Sequence, residues 1–230
     1  MFTTLQIDKA LGSDDDDERK QAEDTIALLT PIVKAFLTDN GWIATSSCLQ
    51  VFGGHGYIKE WGMEQFVRDA RINMIYEGTN TIQSLDFLGR KVLGDNGAKM
   101  RKFGQLVTEF VEEEGTDEAM QEFVNPLAEL GEKVTKLSME LGMKAMGNAD
   151  EVGAAATDYL RICGHLVFAY FWARMAKLAL AKQDSGDPFY TAKLHTARFY
   201  FAKLLPETAG LMRSARAGLQ PLMAMEEALF

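Results

Sequence analysis

FVNPLAELGEKVTKLSMEL, residues 123–141, places Phe123, Leu127, Leu130, Val134, Leu137 and Leu141 at steps of three and four. That period turns one helix face to a core and leaves the polar residues on the other side. The same spacing recurs outward in both directions. Met100, Phe103, Val107 and Phe110 form a face before it. Tyr159, Leu160, Cys163, Val167, Tyr170, Phe171 and Leu178, then Leu194, Ala197, Phe201 and Leu204, form faces after it. Gly115-Thr116, Gly147-Asn148 and residues 184–188 separate these runs, and Pro206 is placed to kink or end the last. Short connections between long helices make antiparallel neighbours, so a bundle of about four helices is expected from residue 98 onward.

Gly94-Asp95-Asn96-Gly97 is a cluster of turn residues and marks a boundary. Upstream of it, Ser13 followed by Asp14 through Asp17 reads as an N-cap with acids in the first turn, where the helix dipole favours them. The apolar face of that helix runs through Ile26, Leu29, Val33, Phe36 and Leu37. Further helices are expected over 41–51, 62–70 (with Met63, Phe66, Val67 and Ala70 on one face) and 79–92. No sustained alternation of apolar and polar residues marks a strand. The expected fold class is therefore all-α, in two parts: a helical domain over 1–93 and a helical extension over 98–230.

Composition narrows the function. Of 230 residues 47% are hydrophobic and 25% charged, as in a globular protein. The formal charge of -9, with basic residues scattered, argues against nucleic acid as a partner. The apolar stretch between Arg161 and Arg174 is too short for a bilayer span, and residues 1–16 show no basic region followed by an apolar run, so the expected location is cytoplasmic. Cys48 and Cys163 read as buried, reduced thiols, and His55, His165 and His195 have no ligand spacing, so no metal site is expected. The acid run at 14–17 reads as a solvated helix start. His165 and His195 read as core or boundary residues, and the aromatics at 170–172 and 199–201 as core packing.

Residues 50–83 are different. Gln50-Val51-Phe52-Gly53-Gly54-His55-Gly56-Tyr57 puts three glycines in four positions after a helix, which suits either a close backbone approach to a ligand or a helix end with a tight turn. In Asn73-Met74-Ile75-Tyr76-Glu77-Gly78-Thr79-Asn80, Glu77 follows apolar residues and precedes a helix. Desolvation there would strengthen its carboxylate as a base toward a carbon acid, whereas the helix dipole would weaken it.

The stretch 50–57, then Arg68-Asp69-Ala70, then Ile75-Tyr76-Glu77-Gly78-Thr79 and Ile82-Gln83, closely resembles the C-terminal helical domain of FAD-dependent acyl-CoA dehydrogenases. With Leu29-Thr30-Pro31-Ile32-Val33-Lys34-Ala35-Phe36 and the long extension, it is most similar to the branch that includes the 3-methylmercaptopropionyl-CoA dehydrogenases. The resemblance implies that Glu77 is the base removing the α-proton of an acyl-CoA, its own N–H helping to hold the thioester carbonyl, with Gly78 letting the substrate lie close. It implies that Gln50, Gly53 and Gly54 contact the FAD of a neighbouring subunit, and that Thr79 and Thr81 touch the flavin cofactor. Arg68 and Asp69 match a pair read as structural.

It also implies an electron-transferring flavoprotein as acceptor and a homo-oligomer, a dimer or tetramer, or else a complementing N-terminal half. Family members carry an N-terminal helical domain and a middle β-domain before this segment, so the chain reads as the C-terminal portion of such an enzyme. The alternative reading is a non-catalytic helical module for oligomerisation or scaffolding.

Overall fold

Helix α1 (Phe2–Gly12) is followed by α2 (Asp16–Val51) in this computed structural model, which describes residues 1–229. Asp15, rather than Ser13, caps α2: its carboxylate accepts the N–H of Asp17 at 2.8 Å and of Glu18 at 3.3 Å. Ser13 ends α1 and spends its hydroxyl on the Glu18 carboxylate, 2.6 Å away. No break occurs at Asn40-Gly41, so the two helices expected there are one of 36 residues, about 54 Å long. Its inward face is also rotated from the expected one. Leu28, Leu29, Ile32, Ala35 and Phe36 are buried, while Val33 and Leu37 face outward.

The chain divides into two compact units at Lys91 and Val92. In the first, α3 (Gly54–Tyr57), α4 (Met63–Ile72) and α5 (Asn80–Leu85) follow α2 and pack along it. A π-helical stretch, Asp86–Val92, continues α5 and buries Phe87 and Leu88. Phe66 points to solvent, contrary to the expected inner face of α4. Cys48 is exposed, again contrary to expectation, because the last turns of α2 have little packed over them.

The second unit holds α6 (Ala98–Glu114), α7 (Gln121–Gly147), α8 (Asp150–Ala181), α9 (Pro188–Phe199) and α10 (Glu207–Ala217), ending in α11 (Gln220–Met223). These are five long helices where about four were expected, because Pro206 separates α10 from a π-helical turn, Tyr200–Leu204, that ends α9. The bond from Leu205 N–H to Tyr200 C=O, 3.0 Å, closes that wide turn. α7, α9 and α10 pack on α8, whose alanines 155, 156, 169, 173, 176 and 179 allow close approach, and α6 packs on α7.

All six residues of the 123–141 stripe are buried. Phe123 meets Phe201 edge to face at 5.4 Å. Leu178, Leu204 and Phe199 lie outside the core instead of in it. Tyr159 shares a 2.6 Å hydrogen bond with Ser138, and the Cys163 thiol is pushed up to about 12 by burial. His165 is buried and hydrogen-bonded, and His195 is exposed. Among the described residues there is no strand, no group of histidine, cysteine or carboxylate side chains able to hold a metal, and no helix long and apolar enough to cross a membrane.

Candidate functional site

The turn between α4 and α5 has an unusual backbone. Ile75 N–H and Tyr76 N–H both bond Ile72 C=O, and Asn80 N–H reaches back to Met74 C=O at 3.1 Å, closing a short loop around residues 75–79. Within it Glu77 has φ 53° and Gly78 φ 86°. Glycine adopts this left-handed conformation freely, but a residue with a Cβ such as Glu77 is held in it at a cost of about 1–2 kcal/mol.

Lys34 anchors the turn. Its position on α2 brings Nζ 2.7 Å from the Gly78 carbonyl oxygen and 2.8 Å from Asn80 Oδ1. Hydrogen bonds from a charged donor contribute about 1.5–3 kcal/mol. Asn80 Nδ2 in turn donates to Asp39 Oδ1 at 2.6 Å and to Thr38 Oγ1 at 3.0 Å. Partial burial holds the Lys34 ammonium below the usual lysine range, while the charges of Asp39 and Glu77 pull it back up.

Glu77 itself is exposed, so the poorly hydrated setting considered from its apolar neighbours is not present in this chain. Among the described residues no acceptor meets its N–H and no hydrogen bond engages its carboxylate. The Thr79 hydroxyl caps α5, accepting the Ile82 N–H at 3.3 Å, and Thr81 is exposed within its first turn. A side chain on Gly78 would press on Gln83 Nε2 at 3.0 Å. A carboxylate and a free N–H on one residue, flanked by glycine, can together take a proton from an acidic C–H and hold the oxygen that gains charge.

The glycine loop lies elsewhere on the same helix. Gln50 stands in the last turn of α2, sixteen residues beyond Lys34, or about 24 Å along the axis. The structure therefore does not bring Gln50, Gly53 and Gly54 to Glu77 within one chain. Gly53, at φ 60°, turns the chain out of α2. Gly56 is the glycine the fold demands, since a Cβ there would meet Leu49 O at 2.5 Å and Phe52 Cβ at 2.9 Å. At Gly54 an added Cβ would meet nothing within 4 Å. Exposed His55 and Trp61 meet edge to face beside this loop at 5.1 Å.

The residue pattern assigns no role to Lys34 or Asn80. The signal that could have found Lys34 is a lysine set between Val33 and Ala35 on an apolar stretch.

Residues 13–93 match the family model described as "Acyl-CoA dehydrogenase, C-terminal domain", and residues 103–226 match "Acetyl-CoA dehydrogenase C-terminal like". The chain is 34% identical over 197 residues, 84% of its length, to the 3-methylmercaptopropionyl-CoA dehydrogenase of Ruegeria pomeroyi. It is 30% identical over 237 residues, 100% of its length, to a butyryl-CoA dehydrogenase of Syntrophomonas wolfei. A broad-specificity linear acyl-CoA dehydrogenase of Mycobacterium tuberculosis is 28% identical over 218 residues, 88% of the chain. The matched regions span 33%, 39% and 35% of those relatives. With its helical units aligned to both C-terminal models, the chain belongs to the acyl-CoA dehydrogenase family.

Proposed function

We propose that this chain supplies the proton-abstracting part of an acyl-CoA dehydrogenase that desaturates an acyl-CoA thioester between its α and β carbons. The observation that carries this reading is at Glu77, whose backbone is held left-handed with an exposed carboxylate and an N–H that meets no acceptor among the described residues. The carboxylate takes the α-proton. The N–H donates to the thioester oxygen, where negative charge gathers as the C–H bond breaks. Gly78, without a side chain, leaves room for the thioester beside the base.

The residues also fit FAD. Nothing in this chain's own packing calls for a glycine at Gly54, and with Gly53 it leaves bare backbone beside Gln50, as a planar or phosphorylated ligand requires. Gln50, Gly53 and Gly54 would hold one part of it, and Thr79 and Thr81 another. When bound, the flavin supplies the acceptor for the β-hydrogen as hydride. The separation of loop and base along α2 supports a dimer or tetramer in which the loop serves a neighbour's cofactor. An electron-transferring flavoprotein is the acceptor of this reading.

Glu77→Gln keeps the side chain's shape and removes the base. In the holoenzyme that contains this chain, turnover of an acyl-CoA with an electron acceptor is expected to fall about 100-fold or more. Unchanged turnover overturns the reading.

A further inference from the structure

Glu77 is bracketed by anchored backbone. On one side Tyr76 N–H is bonded to Ile72 C=O at 3.2 Å, and on the other the Gly78 carbonyl receives the Lys34 ammonium at 2.7 Å. The anchors stop one residue short of Glu77 in each direction, and its own N–H and carboxylate are left unengaged among the described residues. Lys34 reaches this turn from 44 residues away, on a different helix, and ties it through Asn80 to Asp39 and Thr38 of that same helix.

We propose that Lys34 is a positioning residue for proton abstraction, holding the 77–78 turn through the Gly78 carbonyl and Asn80 so that the Glu77 carboxylate and N–H face one substrate carbon and its carbonyl oxygen. This rests on the role proposed for Glu77. Two features favour a lysine over a neutral side chain. It serves two acceptors at once, and the Glu77 charge acts on its ammonium. Asp39, facing the same asparagine, is the other acid acting on that ammonium.

The test separates proton removal from the rest of the reaction. A 3-thiaacyl-CoA has an exchangeable α-hydrogen, and sulfur at the β position leaves no β-hydrogen to lose. In deuterated water the holoenzyme should exchange that α-hydrogen for deuterium, one proton leaving to Glu77 and one deuteron returning, as read by mass spectrometry. Glu77→Gln is expected to abolish the exchange. If it does not, the role of Glu77 falls, and the proposal with it.

Lys34→Met is expected to slow exchange at least tenfold with the dissociation constant of the analogue changed less than threefold. Lys34→Arg, which keeps a cation and donors, is expected to recover part of the loss. Lys34→Ala replaces Lys34→Met if the latter does not fold, with the same expectation. Exchange at the unaltered rate in the folded variant, with Glu77→Gln inactive, overturns the positioning role alone. So does a loss in which binding weakens as much as exchange slows.

Discussion

His165 Nε2 stands 3.0 Å from Glu207 Oε2, joining the middle of α8 to the first turn of α10. Arg161, one turn earlier on α8, grips the same carboxylate through two nitrogens at 2.8 Å each. On the other side of the ring, Tyr200 Oη lies 3.1 Å from His165 Nδ1, and the π-helical turn is what places Tyr200 there. One buried imidazole thus ties together α8, α10 and the end of α9.

This cluster makes stability depend on pH. Burial, above all, lowers the His165 imidazole below its ordinary 6.5, and the Arg161 guanidinium, above all, lowers the Glu207 carboxyl below its ordinary 4.5. Both groups bind protons more weakly folded than unfolded, so their contribution is present above pH 6.5 and is lost as pH falls, first through His165 and then through Glu207. The melting temperature of the chain is expected to drop between pH 7.5 and pH 5. His165→Asn should flatten that slope, and an unchanged slope in the variant contradicts the assignment.

Removing the partner leaves the imidazole stranded. Glu207→Ala takes away the acceptor of a buried ring nitrogen, and urea unfolding at pH 7.5 is expected to show a loss of about 1–3 kcal/mol. Glu207→Gln, which keeps an acceptor, should lose less.

The core of the second unit is most sensitive where the long stripe meets α9. Phe123 is fully buried, with its ring edge to face against Phe201. Phe123→Ala is expected to cost about 3–5 kcal/mol in the same unfolding experiment. Met139→Ala, on the exposed side of the same helix, should change stability little.

Two neighbouring glycines should separate folding from cofactor binding. Gly56→Ala drives a methyl group into Leu49 O and Phe52, so a lowered melting temperature is expected. Gly54→Ala meets nothing in this chain and should melt as the unaltered protein does, while the holoenzyme retains less FAD after desalting, read by visible absorbance. Equal FAD retention in Gly54→Ala would remove that glycine from the proposed cofactor contact.

The left-handed backbone at Glu77 should show as a trade between stability and activity. Asparagine tolerates that conformation better than glutamate, so Glu77→Asn is expected to raise stability by up to about 1 kcal/mol, measured by denaturant unfolding, while proton abstraction is lost. A variant that is less stable would mean that the glutamate side chain contributes contacts to the fold.

Helix identity was legible in the residue order because burying one side of a helix requires apolar groups at every third or fourth place, as the run from Phe123 to Leu141 shows. Helix boundaries were less so. Ser13 and Asp15 are both good caps; in the fold the Ser13 hydroxyl turns to Glu18 and Asp15 takes the N–H groups of Asp17 and Glu18. Glycine at position 41 lies inside the continuous α2, where a lone glycine costs about 1 kcal/mol that the rest of the helix absorbs.

By itself the sequence determined an all-helical chain, the motif containing Glu77 and the glycine loop, and through them the family. The tertiary structure decided which groups meet. Lys34 and Gly78 are 44 residues apart, and so are found together only once α5 lies on α2; His165 and Glu207 meet only because Pro206 and the wide turn at Tyr200 set α10 back across α8. Local spacing is dictated by the helix repeat, which every residue carries, whereas contacts between distant side chains depend on the packing of whole helices.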